Sequence, residues 1–479
     1  MTTTALSDAA ASIPGERTEP SGNRYLSGAF APVDTEVTTF DLPVEGEIPA
    51  AIDGLFVRNG PNPIEADPAM YHWFLGDGML HGIELSGGRA RSYRNRWVRT
   101  DKAAAALGEA PVENQPADTA LGSVAGSVAN TNVVAHAGRL LALVEVNLPT
   151  EVDSELATRG RYDFGGGLST SMTAHPHMDP LTGEMCFFGY DVMGPPFLRY
   201  HVANAAGELV HSAEIEVAGP TMMHDFAITA TRSVFMDLPV VFDLQLLGVR
   251  PFPAAWKPEY GARVGVIPRF GTNDDVVWCE IEPCYVFHVL NAYDEPGTDD
   301  VVMDVCRYET MFEDDPHGVG GGTARLERWT ISPSSRKVRT EIVADLPVEF
   351  PRPDERLVGR EHHVGYFVVP RYEGKSSFSD SEAISLAKID LRTAGVEVHD
   401  FGPGTVAGEG LFVPAAADAS EGEGYVLAIV GDIAGRHPSS LVVLDSQDFA
   451  GEPIATVQLP QRVPLGFHGN FVPTGTLRA

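Results

Sequence analysis

Short apolar runs separated by polar turns recur along the chain. Each unit has an apolar or alternating run, a turn rich in Gly, Asp or Ser, and a second alternating run, which is typical of two antiparallel strands. Five clear units begin at Met79, Phe197, Arg325, Ser385 and Ser440. Two weaker units begin near Leu143 and Val264. Helical periodicity is scarce, so the pattern predicts an all-β protein.

The seven units are evenly spaced, since successive starts lie 54 to 67 residues apart. Four-stranded propeller blades commonly repeat every ~40 to 50 residues, and longer loops extend that period. The spacing therefore predicts a seven-bladed β-propeller, with loops and short helices capping the face that carries the active site. A β-sandwich or an irregular barrel is the alternative. Residues 1–22 are predicted to be a disordered lead and residues 23–479 a single propeller domain.

Charge and hydropathy exclude several classes of partner. The 479 residues include 34 Lys and Arg against 66 Asp and Glu, a formal net charge of −32. Such a surface repels phosphate backbones, so we expect no nucleic-acid partner. The N-terminus has no basic segment followed by an apolar one, and no run of 18 apolar residues occurs. We expect neither a secretory signal nor a transmembrane helix.

The cysteines give no sign of a zinc site or a redox pair. Cys186, Cys279, Cys284 and Cys306 form no CxxC pair, and their neighbours are largely apolar. We expect them to be reduced, structural thiols in a cytoplasmic protein, with disulfides as the alternative.

Four histidines lie beside strand-like apolar runs but far apart in the chain. His175, His224, His288 and His468 are separated by 49, 64 and 180 residues, or about one, one and three units. If the inner strands of the blades meet at one axis, these side chains meet there too. Imidazole suits iron, copper, zinc and nickel. The histidines therefore predict a metal site at the centre of the fold.

Nine ordered segments carry a resemblance to the carotenoid cleavage oxygenase family, which includes stilbene- and phenylpropene-cleaving members. They are FVRNGPNP (56–63), YHWFLGDGMLHG (71–82), ANTNVVAHAGRLLALVE (129–145), TAHPHMDPLTGEMCFFGYD (173–191), MMHDFAIT (222–229), EPCYVFHVLNAYDE (282–295), EFPRPDERLVGR (349–360), GEGLFVP (408–414) and LPQRVPLGFHGNFVP (459–473). The resemblance implies a seven-bladed propeller with non-haem iron(II). By position, its four ligands are His175, His224, His288 and His468, whereas His177 is a neighbour.

The resemblance also implies three carboxylates that hold the ligands. They are Glu145, Glu349 and Glu409, each in a mostly apolar stretch where an unpaired carboxylate is costly. The alternative is that they are surface residues at strand ends. Thr131 aligns with a family threonine near an open coordination position.

The ligand set predicts the chemistry. Four protein ligands on an octahedral ion leave two positions, enough for O2 or for O2 and water. No flavin, nicotinamide or oxoacid motif occurs, so the electrons come from the substrate. We expect oxidative cleavage of a conjugated carbon–carbon double bond into two carbonyl products, with a hydrophobic polyene and O2 as partners.

Two departures from the family pattern bear on the substrate. Stilbene- and phenylpropene-cleaving relatives have a lysine before the first glutamate, where this chain has Val144, and stilbene cleavers have a tyrosine where it has Trp97. A phenol facing valine loses hydrogen bonds on burial. Both residues are expected in the substrate pocket, which favours a carotenoid or apocarotenoid.

The segment 239–260 is strongly apolar and broken by prolines. Its large side chains are Phe242, Leu246, Leu247, Phe252 and Trp256. Family members often have a lipophilic patch near the tunnel mouth, and core filling is the alternative. Few basic residues accompany these side chains, so we expect at most a weak, peripheral membrane contact.

Three other functions compete with carotenoid cleavage. One is a stilbenoid- or phenylpropene-cleaving dioxygenase, which Val144 disfavours. Another is a non-enzymatic propeller scaffold, which has no use for four metal histidines. The third is a retinoid-type isomerase, which needs no O2.

Overall fold

Strands dominate the part of the chain that the structure, a computed structural model, describes: residues 22–371 and 381–478. Residues 1–21 of the predicted disordered lead lie outside the described residues. Thirty-three strands occur in the described part. The first seventeen are β1 Thr38–Phe40, β2 Val44–Gly46, β3 Gly54–Pro61, β4 Gly78–Ser86, β5 Arg89–Trp97, β6 Asn132–His136, β7 Arg139–Leu143, β8 Thr150–Val152, β9 Thr158–Arg161, β10 His177–Met178, β11 Met185–Tyr190, β12 Leu198–Ala203, β13 Leu209–Ile215, β14 Ala227–Ile228, β15 Arg232–Asp237, β16 Val240–Phe242 and β17 Ala254–Trp256.

The remaining strands continue the pattern of short segments joined by tight turns. They are β18 Arg263–Pro268, β19 Val277–Glu280, β20 Tyr285–Asp294, β21 Val301–Tyr308, β22 Arg325–Ser332, β23 Lys337–Pro347, β24 Glu349–Arg352, β25 Val364–Arg371, β26 Ala383–Asp390, β27 Gly395–His399, β28 Thr405–Ala407, β29 Leu411–Pro414, β30 Gly424–Asp432, β31 Ser440–Asp445, β32 Ala455–Gln458 and β33 Gly469–Pro473. The prediction of an all-β chain is confirmed.

Helices are short. The described residues contain two α-helices, α1 Asp101–Leu107 and α2 Ala120–Ala125. Each follows a threonine, Thr100 or Thr119, whose hydroxyl accepts a backbone N–H of the first turn. Single 3-10 turns occur at Arg24–Leu26, Gly28–Phe30, Trp73–Leu75, Leu244–Leu246, Pro258–Tyr260, Asn273–Asp275, Glu355–Leu357 and Ser446–Asp448.

The strands form antiparallel sheets built mostly from consecutive hairpins. One sheet has the order β1-β5-β4-β3-β33, and four have the orders β6 to β9, β10 to β13, β14-β15-β18-β19 and β20 to β23. A ten-stranded sheet runs from β2 through β32, β31, β30, β28, β26 and β25 to β24, with β27 and β29 alongside. A parallel contact between β26 and β28 at Ile384 and Val406 joins its two antiparallel halves. Strands β16 and β17 form a separate hairpin.

Six of the seven predicted hairpins match strand pairs of the structure. The units from Met79, Phe197, Val264, Arg325 and Ser385 correspond to β4–β5, β12–β13, β18–β19, β22–β23 and β26–β27. The unit from Ser440 corresponds to β31–β32. The unit near Leu143 is displaced, because Leu143 ends β7 and the hairpin that follows is β8–β9.

Edge strands of different sheets are tied to one another by side-chain hydrogen bonds. The bonds run from Asn132 to the Ala174 carbonyl (2.8 Å), from Thr173 to the His224 carbonyl (3.1 Å), from the Val289 N–H to Asp225 (2.8 Å), from Arg352 to the Gly469 carbonyl (3.1 Å) and from Asn470 to the Val133 carbonyl (2.8 Å). They tie together β6, β20, β24 and β33 and the segments that lead into β10 and β14. The functional side chains lie in this central region.

Apolar side chains fill the spaces between sheets. Trp329, Phe235 and Phe367 are fully buried in the largest cluster. The four cysteines are also buried, and none is in a disulfide. Burying a large apolar side chain such as Phe235 or Phe367 contributes about 1.5–3 kcal/mol.

The pairing of β3 with β33 depends on close backbone contact at Gly54. A Cβ at this position would lie 2.3 Å from the Val472 carbonyl oxygen and 3.0 Å from the Pro473 Cα. We expect Gly54→Ala to lower the free energy of unfolding by ~1–3 kcal/mol, because the strands must separate to accept the methyl group. Gly194→Ala is the matched control, since a Cβ there meets nothing within 4 Å. Equal urea-unfolding midpoints for the two variants would contradict this prediction.

Candidate active site

The four histidines are placed by the inner edges of four sheets. His175, His224 and His468 lie in the segments that lead into β10, β14 and β33. His288 lies within β20, at an irregularity where the register with β21 shifts between Val286 and Val289. A bulge of this kind changes the direction of a side chain relative to regular pleating. It allows His288 to face the same point as the other three.

The imidazoles converge on one buried point. The candidate ligand nitrogens of His175, His224, His288 and His468 all lie within 4.8 Å of one another, and all four residues are buried. The Nε2 atoms of His175 and His224 are 3.0 Å apart. Two nitrogens at that separation both reach a single ion at bond lengths of about 2.1 Å.

In three of the four imidazole rings, a carboxylate contacts the Nδ1 atom. Nδ1 of His288 is 2.5 Å from Glu349 Oε2, and Nδ1 of His468 is 2.9 Å from Glu409 Oε1. Nδ1 of His224 is in direct contact with Glu145. A proton held on Nδ1 by a carboxylate leaves the Nε2 lone pair directed into the cluster.

Each carboxylate has its own partner in turn. The Tyr190 hydroxyl donates to Glu145. The Phe350 N–H donates to Glu349 over 2.5 Å, and the Gly469 N–H donates to Glu409 over 3.1 Å. Arg352 lies 3.4 Å from Glu409. These contacts satisfy both oxygens of Glu145 and Glu409 and Oε2 of Glu349, whereas Oε1 of Glu349 is buried and has no hydrogen-bond partner among the described residues.

Burial and neighbouring charges set the protonation of the cluster. Burial and the three other imidazoles hold the pKa of His175 well below its usual value. Burial likewise lowers the pKa of His468 to about 4. Burial opposes ionisation of Glu409, but Arg352 and His468 outweigh it and lower its pKa to about 2. At neutral pH, His175 and His468 are therefore neutral rings able to bind a metal, and Glu409 is a carboxylate.

The cluster fits a divalent metal ion. Nε2 of His288 is buried and has no hydrogen-bond partner among the described residues. A buried imidazole nitrogen left this way is costly unless something else binds it. Four imidazole nitrogens with no carboxylate in the inner set would leave the full charge of a bound ion available to an incoming molecule.

A large apolar cavity opens onto the cluster. Its empty volume is about 1440 Å³, including the part open to solvent. His224, His288 and His468 line it. The tryptophan and phenylalanine side chains in its wall are Trp73, Phe74, Phe242, Phe252, Phe287, Phe350 and Phe467. Such a cavity has room for an apolar molecule beside the candidate metal site.

Comparison with known proteins identifies the family. A family model described as retinal pigment epithelial membrane protein matches residues 30–473. A carotenoid cleavage oxygenase of Mycobacterium tuberculosis is 44% identical over 500 aligned positions, covering 95% of this chain and 98% of that protein. The chain belongs to the carotenoid cleavage oxygenase family. It is thus an oxidoreductase that incorporates oxygen from O2.

Other members of the carotenoid cleavage oxygenase family cover the chain almost fully. Isoeugenol monooxygenase of Pseudomonas nitroreducens is 33% identical and covers 94% of this chain and 98% of its own. The crystal structure of Pseudomonas brassicacearum lignostilbene dioxygenase superposes with a TM-score of 0.83 at 32% identity, covering 96% of this chain and 100% of its own. Relatives with different named substrates therefore share this architecture.

The predicted pocket residues fall into two groups. Thr131 and Val144 line the cavity, beside the residues of the cluster. Trp97 is not among the residues that line this cavity. It ends β5, and its buried indole N–H donates to the Asn62 carbonyl over 2.9 Å.

The apolar segment 239–260 is likewise divided. Phe242, Leu247 and Phe252 line the cavity, whereas Leu246 and Trp256 do not. Phe252 and Trp256 pack against the largest core cluster. Leu247 is 45% exposed and Val249 is 70% exposed. Core filling and a surface patch therefore both occur, at different residues.

Several cavity residues had no sequence prediction of their own. Phe287, Phe350 and Phe467 each adjoin a site residue in the chain, namely His288, Glu349 and His468. Phe350 has a φ of 50°, a left-handed conformation that is uncommon for a bulky residue. The signal in the sequence for these three cavity residues was their position directly beside His288, Glu349 and His468.

No helix in residues 22–371 or 381–478 combines the length and apolar character needed to cross a bilayer.

Removing one imidazole tests the cluster as a metal site. We expect His288→Ala to lose most of its bound metal, because one nitrogen of the set is removed. His177→Ala should keep wild-type metal content, because His177 bonds to Asp225 over 2.9 Å and is not in the cluster. Metal analysis of the purified proteins checks both. Equal metal loss in the two variants would contradict the assignment.

A substitution that removes the charge but keeps the shape of the side chain tests the role of the carboxylates. Glu349→Gln should weaken metal affinity about 10- to 100-fold while the fold is retained, because the amide holds the His288 proton less strongly. Glu341→Gln, on exposed strand β23, is the control. Metal competition with a chelator measures the affinity, and an unchanged value in Glu349→Gln would remove Glu349 from this role.

Proposed function

We propose that this protein is a non-haem iron(II) dioxygenase that cleaves a conjugated carbon–carbon double bond of a carotenoid or apocarotenoid. The products are two carbonyl compounds. The observation that carries the proposal is a buried cluster of four imidazoles, three of which line a large apolar cavity. The 44% identity to a carotenoid cleavage oxygenase of Mycobacterium tuberculosis supports the same substrate class.

The residues of the site suit this reaction. His175, His224, His288 and His468 would hold the ion, with Glu145, Glu349 and Glu409 keeping the Nδ1 protons of three rings in place. Bound iron(II) would activate O2, and the alkene would supply the electrons that reduce it. Both oxygen atoms enter the two carbonyl groups, so the overall reaction needs no external reductant. Thr131, in the cavity wall, is proposed to restrict access to one open position.

The cavity walls favour a polyene over a phenol. Val144, next to Glu145, is buried and lines the cavity. It offers no hydrogen bond, so a phenol placed against it would lose its bonds to water without replacement. Aromatic walls instead exclude water and hold an extended apolar chain in position.

The sheet arrangement supports a propeller of seven blades within one domain, residues 23–479. Five sheets of four or five strands and the two halves of the ten-stranded sheet make seven comparable units. Edge segments of six of these units are tied together near the histidine cluster.

The rim of the cavity is proposed to touch lipid weakly. Leu244 and Leu247 line the cavity and are 40% and 45% exposed, and Val249 nearby is 70% exposed. An apolar rim helps a polyene leave a lipid phase for the cavity. The strong net negative charge keeps the contact peripheral.

A panel of substrates under two atmospheres tests the function. With iron(II), we expect aldehyde products from an apocarotenal in air and none under nitrogen. A protein reconstituted with zinc is the control, and it should be inactive because zinc has no redox chemistry. Chromatography of the products distinguishes the outcomes. Products formed without O2 would exclude dioxygenation.

A stilbenoid- or phenylpropene-cleaving dioxygenase is the second candidate. The similarity to lignostilbene dioxygenase, with a TM-score of 0.83, favours it. Including a hydroxystilbene and isoeugenol in the same panel separates the two. Turnover of these phenols alone would overturn the carotenoid assignment.

A further inference from the structure

A second, smaller cavity lies apart from the histidine cluster, between the first sheet and the ten-stranded sheet. Its wall includes Arg58 of β3, Gly431 of β30, Ser439 and Arg462. The space accommodates about one water-sized group.

Arg58 is incompletely satisfied in this cavity. Its side chain is buried, and Nη1 donates to the Pro464 carbonyl over 2.9 Å. Nε and Nη2 are buried and have no hydrogen-bond partner among the described residues. A buried N–H without a partner is destabilising, and more so when it is charged. Something small that accepts hydrogen bonds is needed here.

The acidic group that interacts with Arg58, Glu409, does not meet that need. Glu409 interacts with Arg58 through space, but its oxygens are taken by His468, Gly469 and Arg352. Burial accordingly lowers the pKa of Arg58 to about 10, although Glu409 opposes the shift. The positive charge on Arg58 remains poorly compensated.

Other groups around the cavity also favour an anion. Arg462 adds a second positive charge, and it donates to the carbonyls of Ala31 (2.9 Å) and Pro32 (3.3 Å). The Ser439 hydroxyl accepts the Val463 N–H over 2.9 Å, so its own hydrogen is left to donate. Asp432 also borders the cavity, but its carboxylate accepts from the Ala434 and Arg436 N–H groups of the following turn.

We propose that this cavity binds a chloride ion, held by Nε and Nη2 of Arg58 and by the Ser439 hydroxyl. A water molecule would accept the hydrogen bonds but would leave the charge uncompensated. A monatomic anion accepts the hydrogen bonds and also compensates the charge. Oxyanions are too large for the space. Arg58 also approaches Gly466, two residues before His468, since a Cβ on Gly466 would lie 3.2 Å from its Nη2. The ion therefore fixes a guanidinium that packs against the segment carrying one imidazole of the cluster.

Bromide is the probe for this site. In crystals of the wild-type protein grown with sodium bromide in place of chloride, we expect an anomalous peak within hydrogen-bonding distance of Arg58 Nε and Nη2. Density for a water molecule without an anomalous signal would overturn the proposal.

Thermal unfolding at constant ionic strength gives an independent test in solution. Replacing gluconate by bromide should raise the midpoint of the wild-type protein, because an ion that binds the native state stabilises it. The rise should vanish in Arg58→Gln. It should persist in Arg94→Gln, because Arg94 is also buried but pairs with Glu155 over 2.8 Å. The same rise in Arg58→Gln would contradict the site.

A milder substitution covers the case in which Arg58→Gln does not fold. Ser439→Ala removes one donor to the ion, so the bromide concentration that gives half of the stabilisation should rise about tenfold. An unchanged concentration would contradict the role of Ser439 and, with no bromide peak in the crystals, the site itself.

Discussion

Four imidazoles must each keep a lone pair directed at one buried point, and the rest of the structure follows from this requirement. A ring can do so only if its other nitrogen is held, and the carboxylates that hold three of the rings are themselves buried. Each carboxylate then needs partners, which are Tyr190, the Phe350 N–H, the Gly469 N–H and Arg352. These groups come from different sheets. The site is therefore stable only when the sheets are in place, and the sheets are held in register partly by the site.

Local sequence signals predicted the strands well, and a resemblance predicted the chemistry. Alternation and turn residues act within about ten positions, which is why hairpins such as β4–β5 and β22–β23 were found. His175 and His468 are far apart in the chain, so no local pattern predicts that they converge. Predicting their convergence required either the repeat spacing or the family resemblance. The direction of a side chain was harder to predict. The Trp97 indole N–H donates to the Asn62 carbonyl, a contact that the pattern of neighbouring residues does not predict.

The backbone is irregular at positions that local sequence patterns did not predict. The shifted register around His288 and the left-handed Phe350 both occur at residues of the site. Such conformations persist only when surrounding contacts determine them. At Phe350 the conformation sets the N–H against Glu349 and the ring into the cavity wall. One backbone feature thus serves both the histidine cluster and the apolar cavity, so substitutions there should affect both together.

Strand β33 has a consequence for the order in which the protein is assembled. It pairs with β3 to complete the first sheet, and His468 immediately precedes it. A chain emerging from the ribosome without residues 468–473 has three of the four imidazoles and an unpaired strand edge. Closing the first sheet and completing the set of four imidazoles are consequently a single event. The cluster is complete only once β33 has paired with β3.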